Sequence, residues 1–190
     1  GDHSAVAASS NGELLLAREA TGAYVLLTYR GRVLWRQHLG ENAGGWNREN
    51  SGNAAVLDNG NVVAAGGAGD GTVGHAELID GSGQILRNAA FEIAIQVVSE
   101  NGRYMAGRRG QTEIEVYDFL SGSILRYEYR VQPISPGYDI HSFEVNDFGW
   151  LAVVDSGGRL LIYNSAGDLA SQPELGFPPG RIASGEVLVE

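Results

Sequence analysis

Four histidines, His3, His38, His75 and His141, are the only imidazoles in the chain, and no two stand at a metal-ligand spacing such as His-x-x-x-His. There is no cysteine, which removes thiolate nucleophiles, disulfides and Cys-ligated metals. Asp58-Asn59-Gly60-Asn61 and Asp70-Gly71-Thr72 offer oxygens without the spacing or the terminal acid of a calcium loop, and they read as turns. No Gly-x-Ser-x-Gly elbow occurs. Gly66-Gly67-Ala68-Gly69 follows one predicted strand and leads into another, so no helix N-terminus waits there for a phosphate. A carboxylate pair for glycoside hydrolysis would have to be assembled from separate strands. An enzyme reading therefore needs a composite site of His75, His141, Arg108 and Asp70, suited to a hydrolase or lyase. No cofactor and no metal are expected, and a binding protein is favoured over an enzyme.

The elements that must position these groups repeat along the chain. Turn glycines Gly12, Gly60, Gly102 and Gly149 lie 48, 42 and 47 residues apart, and Gly31, Gly83, Gly122 and Gly167 lie 52, 39 and 45 apart. A shared period of this size with several short strands per unit is the pattern of propeller blades, because one four-stranded sheet covers its faces only by stacking on neighbours. The spacing predicts units over residues 4–39, 53–91, 93–131 and 139–175, with a partial unit over 181–190. The expected fold is all-β and propeller-like: about four four-stranded blades plus a partial C-terminal strand pair, in a single domain over 1–190. Two closures stay open. Four blades can close on themselves, or an incomplete arc can close through a second copy or through blades beyond this chain. A β-sandwich is the competing fold, although sandwiches do not usually repeat one unit fourfold.

Within each unit the second strand is a near-continuous apolar run, as burial on both faces requires: Leu14-Leu15-Leu16, Val62-Val63-Ala64-Ala65, Leu151-Ala152-Val153-Val154. The inner strand of the third unit is expected over residues 93–99. Thr28, Asp80, Asp118 and Asn164 stand three or four residues before the second set of glycines, where a short polar side chain accepts turn amides and glycine supplies positive φ.

Two segments resemble known repeats. Val116-Tyr117-Asp118, followed by Leu120-Ser121-Gly122-Ser123-Ile124-Leu125, is similar to the Trp-Asp strand end and turn of WD40-like repeats. The segment from Gly31 to Gly40, with Trp35 inside it, resembles the tryptophan-docking strand of quinoprotein-like (PQQ-type) repeats, in which a Trp packs between blades. The likeness covers roughly residues 4–175 and concerns architecture; it implies a β-propeller and carries over no functional residue. It adds a quinone-dependent dehydrogenase fragment to the enzyme alternative.

Net charge is -10, and all 13 basic residues are arginine. Nucleic acid is disfavoured as a partner, because Arg108-Arg109 is too small a footprint for phosphates. The apolar runs fall short of the roughly 18 residues that span a bilayer, so no membrane insertion is expected. In a propeller the connections between outer and inner strands share one rim with those between second and third strands. That rim is expected to bind a protein or glycan partner through Trp46, Arg48, Asn50, His75, Arg108, Arg109, Tyr138 and His141, a mix of aromatic, Arg and amide groups enriched at recognition surfaces. The chain starts at Gly1 rather than Met. With the acidic composition and the quinoprotein likeness, this points to a periplasmic, cell-surface or secreted setting, the cytoplasm staying open.

Overall fold

The computed structural model describes residues 3–39, 53–67, 73–109, 113–128, 140–155 and 158–173. Sixteen strands and no helix occur among them. They form four antiparallel four-stranded sheets, each paired in chain order. The first holds β1 (His3–Ala8), β2 (Leu14–Glu19), β3 (Tyr24–Thr28) and β4 (Val33–Gln37). The second holds β5 (Asn53–Val56), β6 (Val62–Gly67), β7 (Gly74–Ile79) and β8 (Ile85–Phe91). The third holds β9 (Val97–Val98), β10 (Tyr104–Arg109), β11 (Glu113–Asp118) and β12 (Ser123–Glu128), and the fourth β13 (Ile140–Val145), β14 (Leu151–Asp155), β15 (Leu160–Tyr163) and β16 (Leu169–Ser171). The architecture is all-β and propeller-like. The partial unit expected over 181–190 lies outside the described residues.

All eight landmark glycines have positive φ, from 69° at Gly102 to 92° at Gly83, the region that a Cβ disfavours. The polar residues before the second set cap their turns as the pattern predicts. Asp80 Oδ1 accepts from the amides of Ser82 and Gln84, Asp118 Oδ1 from Leu120 and Ser121, and Asn164 Oδ1 from Ala166 and Asp168. Thr28 Oγ1 accepts more weakly from Arg32 at 3.2 Å.

Three apolar cores lie between consecutive sheets. Leu16, Tyr24, Leu26 and Trp35 of the first meet Val56, Val62, Ala64 and Ile79 of the second. Val63, Ala65 and Ala76 of the second meet Met105, Tyr117 and Phe119 of the third. Ala106, Ile114 and Val116 of the third meet Phe143, Val145, Leu151 and Val153 of the fourth. Because side chains alternate along a strand, a middle sheet must be apolar on both faces. The second strand β6 is accordingly buried at every residue. In the fourth sheet β14 alternates between buried and half-buried residues, so burial on both faces, expected from its apolar run, holds on the side facing the third sheet only.

Turn glycines also serve the seams. A Cβ on Gly102 would sit 2.6 Å from Val63 Cγ2, and one on Gly149 would sit 2.8 Å from Tyr104 Cε1. A second-strand side chain of one sheet thus occupies the space over the next sheet's turn. Trp35 packs the same way on Gly83, 3.1 Å from where its Cβ would be. Asp58 accepts from Ser10 Oγ and the Asn11 amide, and Asp147 accepts from the Asn101 amide, tying neighbouring turns together.

The inner strand of the third sheet departs from expectation: of residues 93–99, only Val97 and Val98 pair as a strand. The reason is a glycine notch. The backbone of Ile93 and Ala94 presses against Gly67 and Gly74 at the ends of β6 and β7, and against Gly107 in β10, at distances that leave no room for a Cβ. The chain crosses from second to third sheet through this notch and pairs only beyond it.

Candidate functional site

Antiparallel order puts connections 9–13, 57–61, 99–103 and 146–150, and the short turns 29–32, 80–84, 119–122 and 164–168, on one rim. The strand ends that bracket residues 38–52 and 129–139 fall on the other, with those that bracket 68–73 and 110–112. Trp46, Arg48, Asn50 and Tyr138, expected as partner-binding residues, lie outside the described residues, as does Asp70. His75, Arg108, Arg109 and His141 are described, and all four sit at strand ends on the rim with the long connections.

They are not equivalent. His141 is exposed. Arg108 is half-buried, and its Nη1 donates to the carbonyl of Ile140 at 3.1 Å, tying the third sheet to the fourth. His75 is buried and faces the first sheet, because its neighbour Ala76 belongs to the core shared with the third sheet and successive side chains point to opposite faces. Its Nε2 is 3.4 Å from Glu77 Oε1 and has no hydrogen-bond partner among the described residues. Glu77 is itself 1% exposed.

Arg109 is the centre of a network at the mouth of the next seam. Its Nε donates to Glu115 Oε1 at 2.8 Å and its Nη2 to Glu92 Oε2 at 3.0 Å. The Tyr117 hydroxyl donates to the other oxygen of Glu115, and the Tyr117 ring lies 4.4 Å from that of Phe91. The hydrogen bonds from Arg109 to Glu115 and then to Glu92 hold the guanidinium well above its ordinary pKa. Glu115 is 1% exposed.

Glu77 and Glu115 were not legible as site residues from motifs, but a register signal marks both. Each stands three residues before a capping aspartate, Asp80 or Asp118, where the first and fourth units carry Val25 and Leu161. All four positions are buried. A carboxylate in an otherwise apolar register is the informative anomaly.

Below Arg109 a cleft of about 380 Å³ runs between β8 and the outer strands of the third sheet. Arg87, Ala89, Phe91, Glu92, Glu115 and Tyr117 line it from the second sheet and the upper third, and Asp118, Phe119, Ser123 and Ile124 close its far end. Its size falls in the range of roughly 300–1,000 Å³ typical of ligand sites. Arg87 donates to the Leu120 carbonyl at 2.8 Å and lies 5.1 Å from the Phe119 ring centroid, bridging the two sheets. No group of three or more His, Cys, Asp or Glu that could hold a metal occurs among the described residues.

At the far end, Asp118 Oδ2 accepts from Arg103 Nε at 3.2 Å and Nη2 at 2.8 Å. The Arg103 hydrogen bond is the chief cause that holds the Asp118 carboxyl at about 2, against an ordinary 3.8. A folded value below the unfolded one means stability that is present above about pH 4 and lost as pH falls toward 2. Because the Arg103 side chain is 46% exposed, water screens the pair and the contribution is about 1 kcal/mol. In urea unfolding, Asp118→Asn is therefore expected to cost about that much at pH 7 and to match the parent near pH 2. A deficit that stays constant from pH 7 to pH 2 would assign the cost to the turn amides instead.

No family model and no curated protein matches the chain. Solved structures do, among them a protein of unknown function from Bacteroides caccae, at 13% identity, a TM-score of 0.53 and coverage of 91% of this chain. The chain spans 61% of that protein's length, and at this identity the likeness shows the fold alone.

Proposed function

We propose that this chain is a non-enzymatic β-propeller scaffold, of the WD40-like or quinoprotein-like kind, that binds a protein or glycan partner through the rim bearing its long connections. The observation that carries this reading is the asymmetry of the two rims. One is made of short turns capped by their own side chains. The other bears the strand ends that bracket residues 38–52 and 129–139, the exposed His141 and the mouths of seams that hold polar groups. Recognition residues concentrate on connections held by a rigid scaffold, because such segments vary without disturbing the core.

The fourth sheet supplies a matched pair of test positions, His141 on the binding rim and Phe148, 75% exposed, on the opposite one. The full chain is screened on glycan and peptide arrays, and affinities for the strongest probe are measured by titration calorimetry. His141→Ala is expected to weaken binding by about fivefold to tenfold, near 1 kcal/mol, with an unchanged unfolding midpoint. Phe148→Ala is expected to leave binding intact. The opposite pattern, loss with Phe148→Ala alone, would place recognition on the short-turn rim and overturn the reading.

A further inference from the structure

We infer that the cleft between the second and third sheets is a subsite for a neutral carbohydrate chain. The inference rests on the reading of this chain as a binding module and chooses between its two partner classes. The choice follows from charge balance. The cleft is bordered by three carboxylates, Glu92, Glu115 and Asp118, and each is already matched: Arg109 serves Glu92 and Glu115, and Arg103 serves Asp118. Arg87, the third guanidinium, donates its Nη1 to the Leu120 carbonyl and lies over the Phe119 ring. Three positive groups offset three negative ones, so the cleft presents no net charge to draw in a peptide cation or an anion. A hydroxyl needs none. It donates and accepts at once, and a carboxylate that holds one guanidinium keeps lone pairs for further donors.

The polar groups are arranged for such a ligand. Glu92 has a side chain 80% exposed and uses Oε2 for Arg109, which leaves Oε1 to accept from a hydroxyl. Ser123 offers a further hydroxyl at the far end, exposed and lining the cleft. Between these ends, Ala89 and Phe91 form an apolar patch of the kind that takes the C–H face of a sugar ring. The shape agrees as well. Residues 87–92 run along the cleft for roughly 17 Å at about 3.3 Å per residue, a length suited to a linear oligomer rather than to a compact metabolite.

The test is titration calorimetry of the full chain with cellohexaose, maltohexaose and mannohexaose as neutral probes, hexagalacturonate as the anionic probe and a hexa-arginine peptide as the cationic one. Saturable binding of at least one neutral hexasaccharide is expected, tighter than either charged probe. Ser123→Trp, at an exposed position, should fill the cleft and weaken that binding at least about tenfold with no change in unfolding midpoint. Glu92→Gln, which keeps the shape and alters the acceptor, should weaken it less, and it serves if the tryptophan variant does not fold. Tighter binding of a charged probe, or neutral binding unaffected by both variants, overturns the assignment of this cleft to a neutral carbohydrate while the binding-module reading stands. New reducing ends released from a bound hexasaccharide would overturn the non-enzymatic reading and leave the carbohydrate assignment intact. Silence toward every probe, on the arrays as well, overturns both.

Discussion

Gly107→Ala is expected to lower the unfolding midpoint by about 5–10 °C, corresponding to roughly 2–3 kcal/mol in a chain of this size. At an ordinary strand position the same change would be neutral or mildly stabilising, because alanine restricts the unfolded chain more than glycine does. Here the sign is reversed by what the new methyl group meets. A Cβ on Gly107 runs into the carbonyl oxygen of Ala94 and sits 2.8 Å from Ile93 Cδ1. The first obstacle is backbone, which has no rotamer to change, so the crossover itself must move and drag the seam with it. Gly74→Ala, which meets the Ile93 carbonyl, should behave alike. Gly31→Ala is the control: its φ is 81°, but nothing lies within 4 Å of the added methyl, so it carries only the conformational cost of about 1–2 kcal/mol. Thermal unfolding of the three variants ranks them. If Gly31→Ala proves the most damaging, close packing at the crossover is not what holds the second sheet to the third.

Arg109→Met is the second large effect, expected to lower the unfolding midpoint by about 4–8 °C. It takes from the buried Glu115 carboxylate the guanidinium that donates to it at 2.8 Å. Removing one partner of a fully buried pair costs about 3–5 kcal/mol, but the Arg109 side chain is 36% exposed and water screens part of the interaction, which lowers the figure. The deficit should be greatest at neutral pH and should close on acidification, because protonating a buried carboxylate without its cation removes the penalty of keeping it charged. Arg109→Met combined with Glu115→Leu should recover part of the loss, since the apolar pair needs no counter-charge while the Tyr117 hydroxyl gives up its acceptor. Chemical denaturation of both variants at pH 7 and pH 4 checks this. A double variant no better than the single would mean that the network fastens Phe91 and Tyr117 by shape rather than by charge.

Both effects arise at contacts between sheets, and this is where reading the chain in order reaches its end. Arg108 and Arg109 were recognisable as rim residues from their place after the second strand of the third unit. Their engagement by the Ile140 carbonyl, by Glu115 and by Glu92 was not, because each partner belongs to another strand or another sheet. His75 was expected to face a partner and is buried beside Glu77 at its strand end. The 380 Å³ cleft left no trace in any motif, since β8 and the outer strands of the third sheet contribute its walls separately.

What the amino-acid sequence determined by itself is whatever depends on neighbours along the chain. Glycine at eight periodic turns, Asp80, Asp118 and Asn164 capping three of them, and apolar runs of strand length specify the repeating four-stranded unit, because φ preferences and turn hydrogen bonds act within a few residues. Tertiary structure alone decided how the units meet: which glycines admit a crossing backbone, which guanidinium neutralises which carboxylate, and where two sheets part to leave a cleft. Those contacts join residues far apart in the chain, and their energies come from close approach and exclusion of water, which local spacing does not encode.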